Sequence, residues 1–427
     1  MEINKDEKLS EGKTKIIYSV KGQPGLCVMH AKERITANNA AKVNELAGKA
    51  AVSNKTTALV FEYLKRAGIR CAFERILDDI CLLSRRCHMI PIEFVCRRVA
   101  TGSFLKRHPG VPEGHRFVPV KSETFFKDDA NDDPQVSKEQ IVAMGLNCGS
   151  RKITGNDVDI LQGTTAAVFE ILERAWHSLD CALIDMKVEY GVDAETGEIL
   201  LADVIDSDSW RLWPGGDKRL MVDKQVYRDM AEVTDDGLRA VLRNFQWVAD
   251  KLPAVLSSPK GRVIIAMGSA TDADYCKSIA AELRKLGVEQ VDIRVCSAHK
   301  ATRFALEVGA LASDPARGPT AVIAVAGRSN GLGPVLSGNL CAPVINAPPV
   351  SADWAGWDLG SSLRMPSGLG CVTVLGANAA ALAAAQILAT GVTEHSVWAR
   401  LRAAQLTAWV RVLRDDERLQ ESVNKSQ

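Results

Sequence analysis

Apolar and polar residues alternate from Leu183 to Gly191: Ile184, Met186, Val188 and Tyr190 share one side, Asp185, Lys187 and Glu189 the other. That period marks a strand with one buried face. A second aliphatic run, Glu198–Asp206, follows Asp193-Ala-Glu-Thr-Gly197, whose Asp and Gly suit a chain reversal, so the stretch predicts a β-hairpin. Centring the turn near Thr196 sets Glu189 opposite Asp203. Two facing carboxylates repel unless a cation lies between them. Mg²⁺ completed by phosphate oxygens is one solution; Lys187 bridging the acids on a solvated face is the other.

Upstream, the pattern predicts strands near Lys13–Ser19, Gly25–His30, Arg70–Phe73 and His88–Val95, and helices over Ala41–Gly68, Asn156–Trp176 and Asp235–Lys251. Strands and helices mixed in this way predict an α+β domain with partly antiparallel sheets. The grammar changes after Leu252–Gly261, where Pro253, Ser257, Ser258, Pro259 and Gly261 supply linker punctuation. Beyond it strands (Val263–Met267, Asp292–Cys296, Thr320–Ala326) alternate with helices (Asp274–Leu286, Ala301–Leu311). Short strands at Ala342–Ala347 and Cys371–Leu375 then precede helices at Ala377–Ala389 and Glu394–Leu413. This predicts a three-layer, flavodoxin-like α/β domain on a parallel sheet. The expected boundaries are 1–255, a linker at 256–261, and 262–427.

A length of 427 residues agrees with two or three domains. With 53 basic and 52 acidic residues the net charge is +1, which gives no global attraction to nucleic acid or anionic membrane. The charged start has no signal-like apolar core, and no apolar run reaches membrane-spanning length. The 11 cysteines are scattered without a CxxC pair, which suits reduced thiols rather than a disulfide framework or zinc site. A cytoplasmic protein is expected.

Within the first half, Glu11-Gly-Lys-Thr-Lys15 fails as a Walker A loop, since Glu7 stands where its first glycine belongs. It remains a tight turn bearing lysines, either a lid over nucleotide phosphates or a surface hairpin. Met89–Ser103 delivers Arg97 and Arg98 from an apolar strand into Thr101-Gly102-Ser103, which is phosphate-binding chemistry or a pair of structural ion pairs. Lys127–Pro134 is rejected as an EF-hand because Pro134 replaces the required glycine and Gln140 the bidentate glutamate. An acidic loop near a nucleotide metal and a solvated loop remain.

Taken together, Ile90-Pro-Ile-Glu…Arg97…Thr101-Gly-Ser103 and Leu183-Ile-Asp-Met-Lys-Val-Glu…Gly191 resemble the two signatures of the phosphoribosylaminoimidazole-succinocarboxamide synthetase family. The Gly12-Lys-Thr-Lys15 lid and Asp203…Asp206…Asp208-Ser-Trp-Arg211 fall where that family has its own. The resemblance implies an ATP-dependent ligase joining L-aspartate to the carboxylate of carboxyaminoimidazole ribotide. It implies Gly12, Lys13, Lys15, Met89, Ile90, Ile92, Lys127 and Asp129 at ATP, with Glu189 and Asp203 on Mg²⁺. Arg97, Thr101, Gly102, Ser103, Asp185, Lys187, Asp206, Asp208 and Arg211 would serve the ribotide and aspartate. A carboxylate is a poor acyl donor until phosphorylated, so metal-clamped ATP, a cationic cradle and an amine nucleophile suit this chemistry. Tyr190 replaces the usual Phe or Ile, and Trp210 stands where bacterial members tend to have Ser.

The second half carries its unusual residues at three strand ends: Met267-Gly-Ser-Ala-Thr-Asp272, Cys296-Ser-Ala-His-Lys300 and Ala326–Pro334. In a parallel sheet these share the carboxyl edge, where open α/β folds bind ligands. The glycines of Gly327–Pro334 are not spaced as GxGxxG, which disfavours a dinucleotide fold. With Ser337-Gly-Asn339 and Leu363–Cys371 these segments resemble animal-type phosphoribosylaminoimidazole carboxylase. They differ from the bacterial mutase pattern, whose Gly-rich stretch has its own His. The resemblance implies direct use of CO₂ without biotin. His299, Lys300 and Ser329 would be catalytic, with Gly327, Ser329, Asn330 and Gly331 around CO₂. Gly268, Ser269, Asp272, Ser297, Arg328 and Asn339 would bind the ribotide. It further implies a homo-octamer built through this domain, and the alanine-rich Ala377–Ala389 helix is compatible with burial in such a core. Both halves together resemble the animal bifunctional family. A kinase-like phosphotransferase fused to a binding domain competes, but neither an HRD…N nor a DFG run is present. A non-enzymatic scaffold is the third reading.

Overall fold

The computed structural model describes residues 3–37, 41–257, 260–350 and 356–426. Ser258 and Pro259 of the expected linker lie outside the described residues. By contacts the chain divides into Met1–Ser257 with Ala403–Gln427, and Ser258–Arg402. Sequence reading groups 403–427 with the second domain; its contacts group it with the first unit.

In the first unit an antiparallel five-stranded sheet runs in the order Lys5–Glu11, Lys15–Val20, Gln23–Ala31, Cys81–Arg85, Phe73–Asp78. Helix Lys49–Ala67 buries Val60, Phe61 and Leu64 and ends where Gly68, at φ +106, returns its N–H to Leu64 and Lys65 carbonyls. The helix expected from Ala41 begins later because Gly48 takes a left-handed conformation (φ +87), which no α-helix continues through. Lys42–Glu45 instead pairs with Arg34–Ala37. The strand expected at Arg70–Phe73 starts at Phe73, and Cys71 makes only an isolated bridge to Leu201.

The second sheet is organised on the 13-residue strand Cys181–Asp193. Ile92–Val99, Trp210–Pro214, Cys87–Met89 and Ile199–Ala202 all pair with it, and Arg116–Phe126 extends the sheet beyond Ile92–Val99. Its apolar side lies under helix Gly155–His177, where the Tyr190 hydroxyl meets Thr165 Oγ1 at 2.8 Å and Phe94 packs edge-on against Tyr190 at 5.3 Å. The hairpin is present, but Glu189 opposes Ala202 rather than Asp203. Asp193 sets this register: its carboxylate accepts the Glu195 and Thr196 N–H groups, and its own N–H bonds the Glu198 carbonyl. That places the turn centre half a residue earlier than Thr196. Asp203 follows the strand end with φ +60.

The second unit is a parallel sheet in the order Gln290–Val295, Arg262–Met267, Thr320–Val325, Val344–Asn346, Val372–Thr373. Numbered along the chain that is 2-1-3-4-5, the flavodoxin-like order. Its central strands Arg262–Met267 and Thr320–Val325 are buried along their whole length, as a sheet covered by helices on each side requires. Val263, Ile265 and Met267 pack with helices Ala273–Lys285 and Ala377–Leu388, while Ile264 and Ala266 pack beneath Thr302–Ala312 and Leu332–Asn339. The alanine face expected to suit an oligomer core is used inside the unit, with Ala380, Ala381, Ala384 and Ala385 fully buried against the sheet. Among the described residues no helix is long and apolar enough to cross a membrane.

Candidate active sites

Asp185, Lys187 and Glu189 share one face of the long strand, as the alternation predicts. Lys187 Nζ lies 2.8 Å from both Glu93 Oε1 and Glu189 Oε1, and Lys127 Nζ takes the other Glu189 oxygen at 2.7 Å. Burial opposes ionisation of Glu189, but the Lys187 and Lys127 ammonium groups prevail and bring its carboxyl down to about 2. Lys187 thus bridges Glu93 and Glu189 rather than Glu189 and Asp203. Asp203 is ion-paired with Lys15 of the lid strand. Burial lowers the Lys15 ammonium to about 8 against the opposing pull of Glu189. Lys13 reaches Asp129 at 2.7 Å, so the lid turn and the acidic loop meet. Gly12 closes the lid turn on the Lys15 carbonyl, and its own carbonyl accepts Lys32 Nζ at 3.0 Å.

At the other end of this face, Arg97 is 4% exposed and held between Glu123 and Asp185. Asp185 also takes Arg211. Arg97 therefore sets the position of the carboxylate that orients Arg211, and its guanidinium is already committed. Arg98 forks onto Glu173 with both contacts at 2.7 Å, a structural ion pair. Gly102 (φ +59) lets Arg211 cross the turn: a Cβ there would sit 2.5 Å from Arg211 Nη2. Ser103 beside it is exposed, whereas the Thr101 hydroxyl is buried and bonded to Glu113 at 3.0 Å. Trp210 is buried edge-on against Trp176.

Burial sorts the remaining expected residues. Ile90 and Ile92 are core residues, and the Ile90 N–H is taken by the Tyr190 carbonyl; Met89 is 42% exposed and pairs with Gly191. Asp206 is buried with its carboxyl pushed up by desolvation and by Asp208. Asp208 goes the other way, as Lys49 and Lys224 overcome its burial. Lys49, 2% exposed and 3.0 Å from Asp208, is the residue that sequence reading missed; it follows Gly48 at the helix start with no local motif to mark it. Lys15, Lys49, Ser53, Thr57 and Asp206 line a cavity of about 30 Å³, room for a water rather than a substrate.

In the second unit the three strand ends converge at the carboxyl edge. His299 is exposed, and its Nε2 would lie 2.8 Å from a Cβ at Gly331, so the imidazole rests directly on the glycine-rich loop. Ser297 Oγ accepts the Lys300 N–H at 3.2 Å and closes the turn that presents His299. Ser269 Oγ similarly accepts the Thr271 N–H, leading into Asp272, whose carboxyl burial pushes up. Gly268 is fixed by its N–H to the Val325 carbonyl. In the glycine-rich loop Gly327 is half-buried while Arg328 and Ser329 are exposed. Asn330 is buried; its backbone N–H and amide donate to Ser361 and Ser362, and its amide oxygen accepts the Gly333 N–H, so it shapes the loop. Asn339, at the end of its helix, bonds back to the Val335 carbonyl at 2.7 Å. Sequence reading also missed Asn346, a fully buried strand-end residue that bonds the Ser362 carbonyl and abuts Gly333.

Two separate folds each gather their own cluster of polar side chains, and their matches define a two-domain enzyme, a ligase domain followed by a lyase-class carboxylase domain. The SAICAR synthetase family model matches residues 8–244 and the AIR carboxylase model residues 262–408. A bifunctional phosphoribosylaminoimidazole carboxylase/phosphoribosylaminoimidazole succinocarboxamide synthetase of Rattus norvegicus is 49% identical over 420 residues, 98% of each chain. That of Drosophila melanogaster is 52% identical over 409 residues, 96% of this chain and 94% of the fly protein. The crystal structure of phosphoribosylaminoimidazole-succinocarboxamide synthase from Ehrlichia chaffeensis superposes with a TM-score of 0.51 at 29% identity, covering 58% of this chain and 98% of that one. The chain belongs to the bifunctional phosphoribosylaminoimidazole carboxylase and succinocarboxamide synthetase family, with the synthetase domain N-terminal and the carboxylase domain C-terminal.

Proposed function

We propose that the first unit condenses a carboxylated aminoimidazole ribotide with L-aspartate at the expense of ATP, and that the second makes that ribotide directly from CO₂ without biotin. The observation that carries the ligase half is the Glu189 carboxylate, held ionised within one charged face that also bears Asp185 and Arg211. Exposed Lys13, Lys127 and Asp129 with half-buried Lys15 surround the nucleotide, and Met89 lies at the adenine end. Gly102, Ser103 and Arg211 receive the ribotide, and Arg97, Asp185 and Lys187 hold that face in place.

Glu189 and Asp203 fit Mg²⁺: both are hard oxygen donors, and both are countered by ammonium groups that phosphate oxygens can attract away. Bound there, Mg²⁺ would neutralise charge on the phosphates. Lys15 and Lys13 guide transfer of the terminal phosphoryl group from ATP to the substrate carboxylate, with ADP leaving, and the aspartate amine then displaces inorganic phosphate from the acyl phosphate to form the amide.

In the second unit the imidazole carbon that gains CO₂ is already enamine-like, so the chain need only place the reactants and move one proton. His299 and Lys300 stand where that proton leaves, Ser329 and the Gly327 and Gly331 backbone flank CO₂, and Gly268, Ser269, Asp272 and Arg328 bind the ribotide. Exposed Phe304, Leu306 and Leu363 on this unit suit assembly into a homo-octamer, and a cytoplasmic setting accords with the metabolic role.

Purified protein supplied with aminoimidazole ribotide, bicarbonate, ATP, Mg²⁺ and aspartate, with each left out in turn, tests the scheme. Carboxylation is expected to survive omission of ATP and addition of avidin, whereas ligation is expected to need ATP and Mg²⁺. ATP-dependent carboxylation would overturn the direct use of CO₂, and ligation persisting in chelator would overturn the metal assignment.

A further inference from the structure

The last helix runs from His395 to Ser426, past residue 408 where the carboxylase match ends, and from Ala403 onward its contacts belong to the ligase unit. The Trp409 ring lies across Gly163 in the middle of helix Gly155–His177: a Cβ at 163 would be 2.7 Å from Trp409 Cζ3 and 3.1 Å from Cη2. Glycine is a poor choice inside a helix, because its backbone loses the most freedom there. The indole explains why nothing larger stands at 163. Nearer the helix start, Arg414 forks between Asp157 at 2.5 Å and Glu417 at 2.7 Å, and Glu417 also accepts Asn156 at 2.9 Å. Asp157 is fully buried, pairs with Arg151 at 2.6 Å, and caps the helix through the Thr154 N–H. Ala403 touches Gly68, the cap of helix Lys49–Ala67.

We infer that the tail from Ala403 is a working part of the ligase unit, and that Trp409 and Arg414 are positioning residues for its carboxylate face. The route is short. The tail clamps helix Gly155–His177, Thr165 of that helix holds the Tyr190 hydroxyl, and Tyr190 neighbours Glu189 on the long strand. A buried carboxylate such as Asp157 depends on its partners for compensation, so loss of Arg414 loosens the start of this helix. The kinetic half of the inference rests on the Glu189 reading; the packing half stands without it.

The test is a sign inversion in the full-length chain. In the parent, Gly163→Ala meets the indole, so it should lower the unfolding temperature of the ligase unit and cut ligase kcat roughly three- to tenfold, with KM for ATP unchanged. In a Trp409→Ala background the same substitution should raise the unfolding temperature, as alanine does in an unobstructed helix. Arg414→Ala should lower ligase kcat with carboxylation retained, and Arg414→Lys should recover most of it. Gly163→Ala stabilising both backgrounds would overturn the docking. Parental ligase kcat in both Trp409→Ala and Arg414→Ala, or an equal fall in carboxylation, would overturn the positioning role. If Glu189→Gln leaves ligation intact while the sign inversion holds, the site reading fails and the docking stands.

Discussion

The Arg211 guanidinium occupies the space where a side chain on Gly102 would begin. With φ +59 and ψ −135, Gly102 is also in a backbone region that only glycine enters at low cost. Gly102→Ala is therefore expected to displace Arg211 and add roughly 1–3 kcal/mol of backbone strain. The measurable result is a rise in ligase KM for the ribotide of at least about tenfold, with carboxylase kinetics unchanged.

Glu189→Gln should abolish ligation and spare carboxylation, measured by supplying each half-reaction with its own substrate. The substitution also carries a pH signature. Because the folded carboxyl is depressed to about 2, its stabilising contribution is fully present above its unfolded value and fades as pH falls toward that figure. As pH falls from about 4.5 to about 2, stability on the order of 3 kcal/mol from this one group is lost. The variant's ligase-unit unfolding temperature should depend less on pH across that window than the parent's, and parallel curves would count against the ion-pair assignment.

His299→Asn should remove CO₂-dependent carboxylation while ligation of supplied carboxylated ribotide continues. Gly331→Ala should push the imidazole away from the loop and lower carboxylase kcat without changing ligation, since the new Cβ would fall 2.8 Å from Nε2. Simultaneous loss of both activities in either variant would indicate misfolding instead.

Lys49→Met leaves the half-buried Asp208 with Lys224, 3.6 Å away, and the charge of Arg228 to compensate it. A loss on the order of 3 kcal/mol is expected in chemical denaturation of the ligase unit. Adding Asp208→Asn should restore much of it, because the pair is then absent rather than broken. Additive losses in the double variant would show that the two residues are not coupled.

The long strand was legible because its period is 2 and one face is buried, so Asp185, Lys187 and Glu189 could be assigned to one side from spacing alone. The register was not, since it depends on which turn N–H groups the Asp193 carboxylate captures. The parallel sheet was likewise legible from its apolar runs. Lys49 left no trace: its partner lies far along the chain, and a lysine at a helix start looks like surface. The helix expected from Ala41 failed on Gly48, whose left-handed backbone overrides the propensities around it. Arg97 shows the limit of composition, for an arginine beside a Thr-Gly-Ser turn fits either a substrate or a pair of buried acids, and only Glu123 and Asp185 decide.

Lys127 on Glu189, Lys187 between Glu93 and Glu189, Lys15 on Asp203 and Lys13 on Asp129 give each of these four cations of the proposed nucleotide face an internal carboxylate partner. On the function proposed above, nucleotide entry would be an exchange reaction in which phosphates and metal take over partners that the chain already supplies to itself. Little net charge is transferred between solvent and protein in such a swap. Affinity for metal-bound nucleotide should accordingly respond only weakly to ionic strength, unlike a pocket of bare lysines, which collects any polyanion and surrenders it to salt.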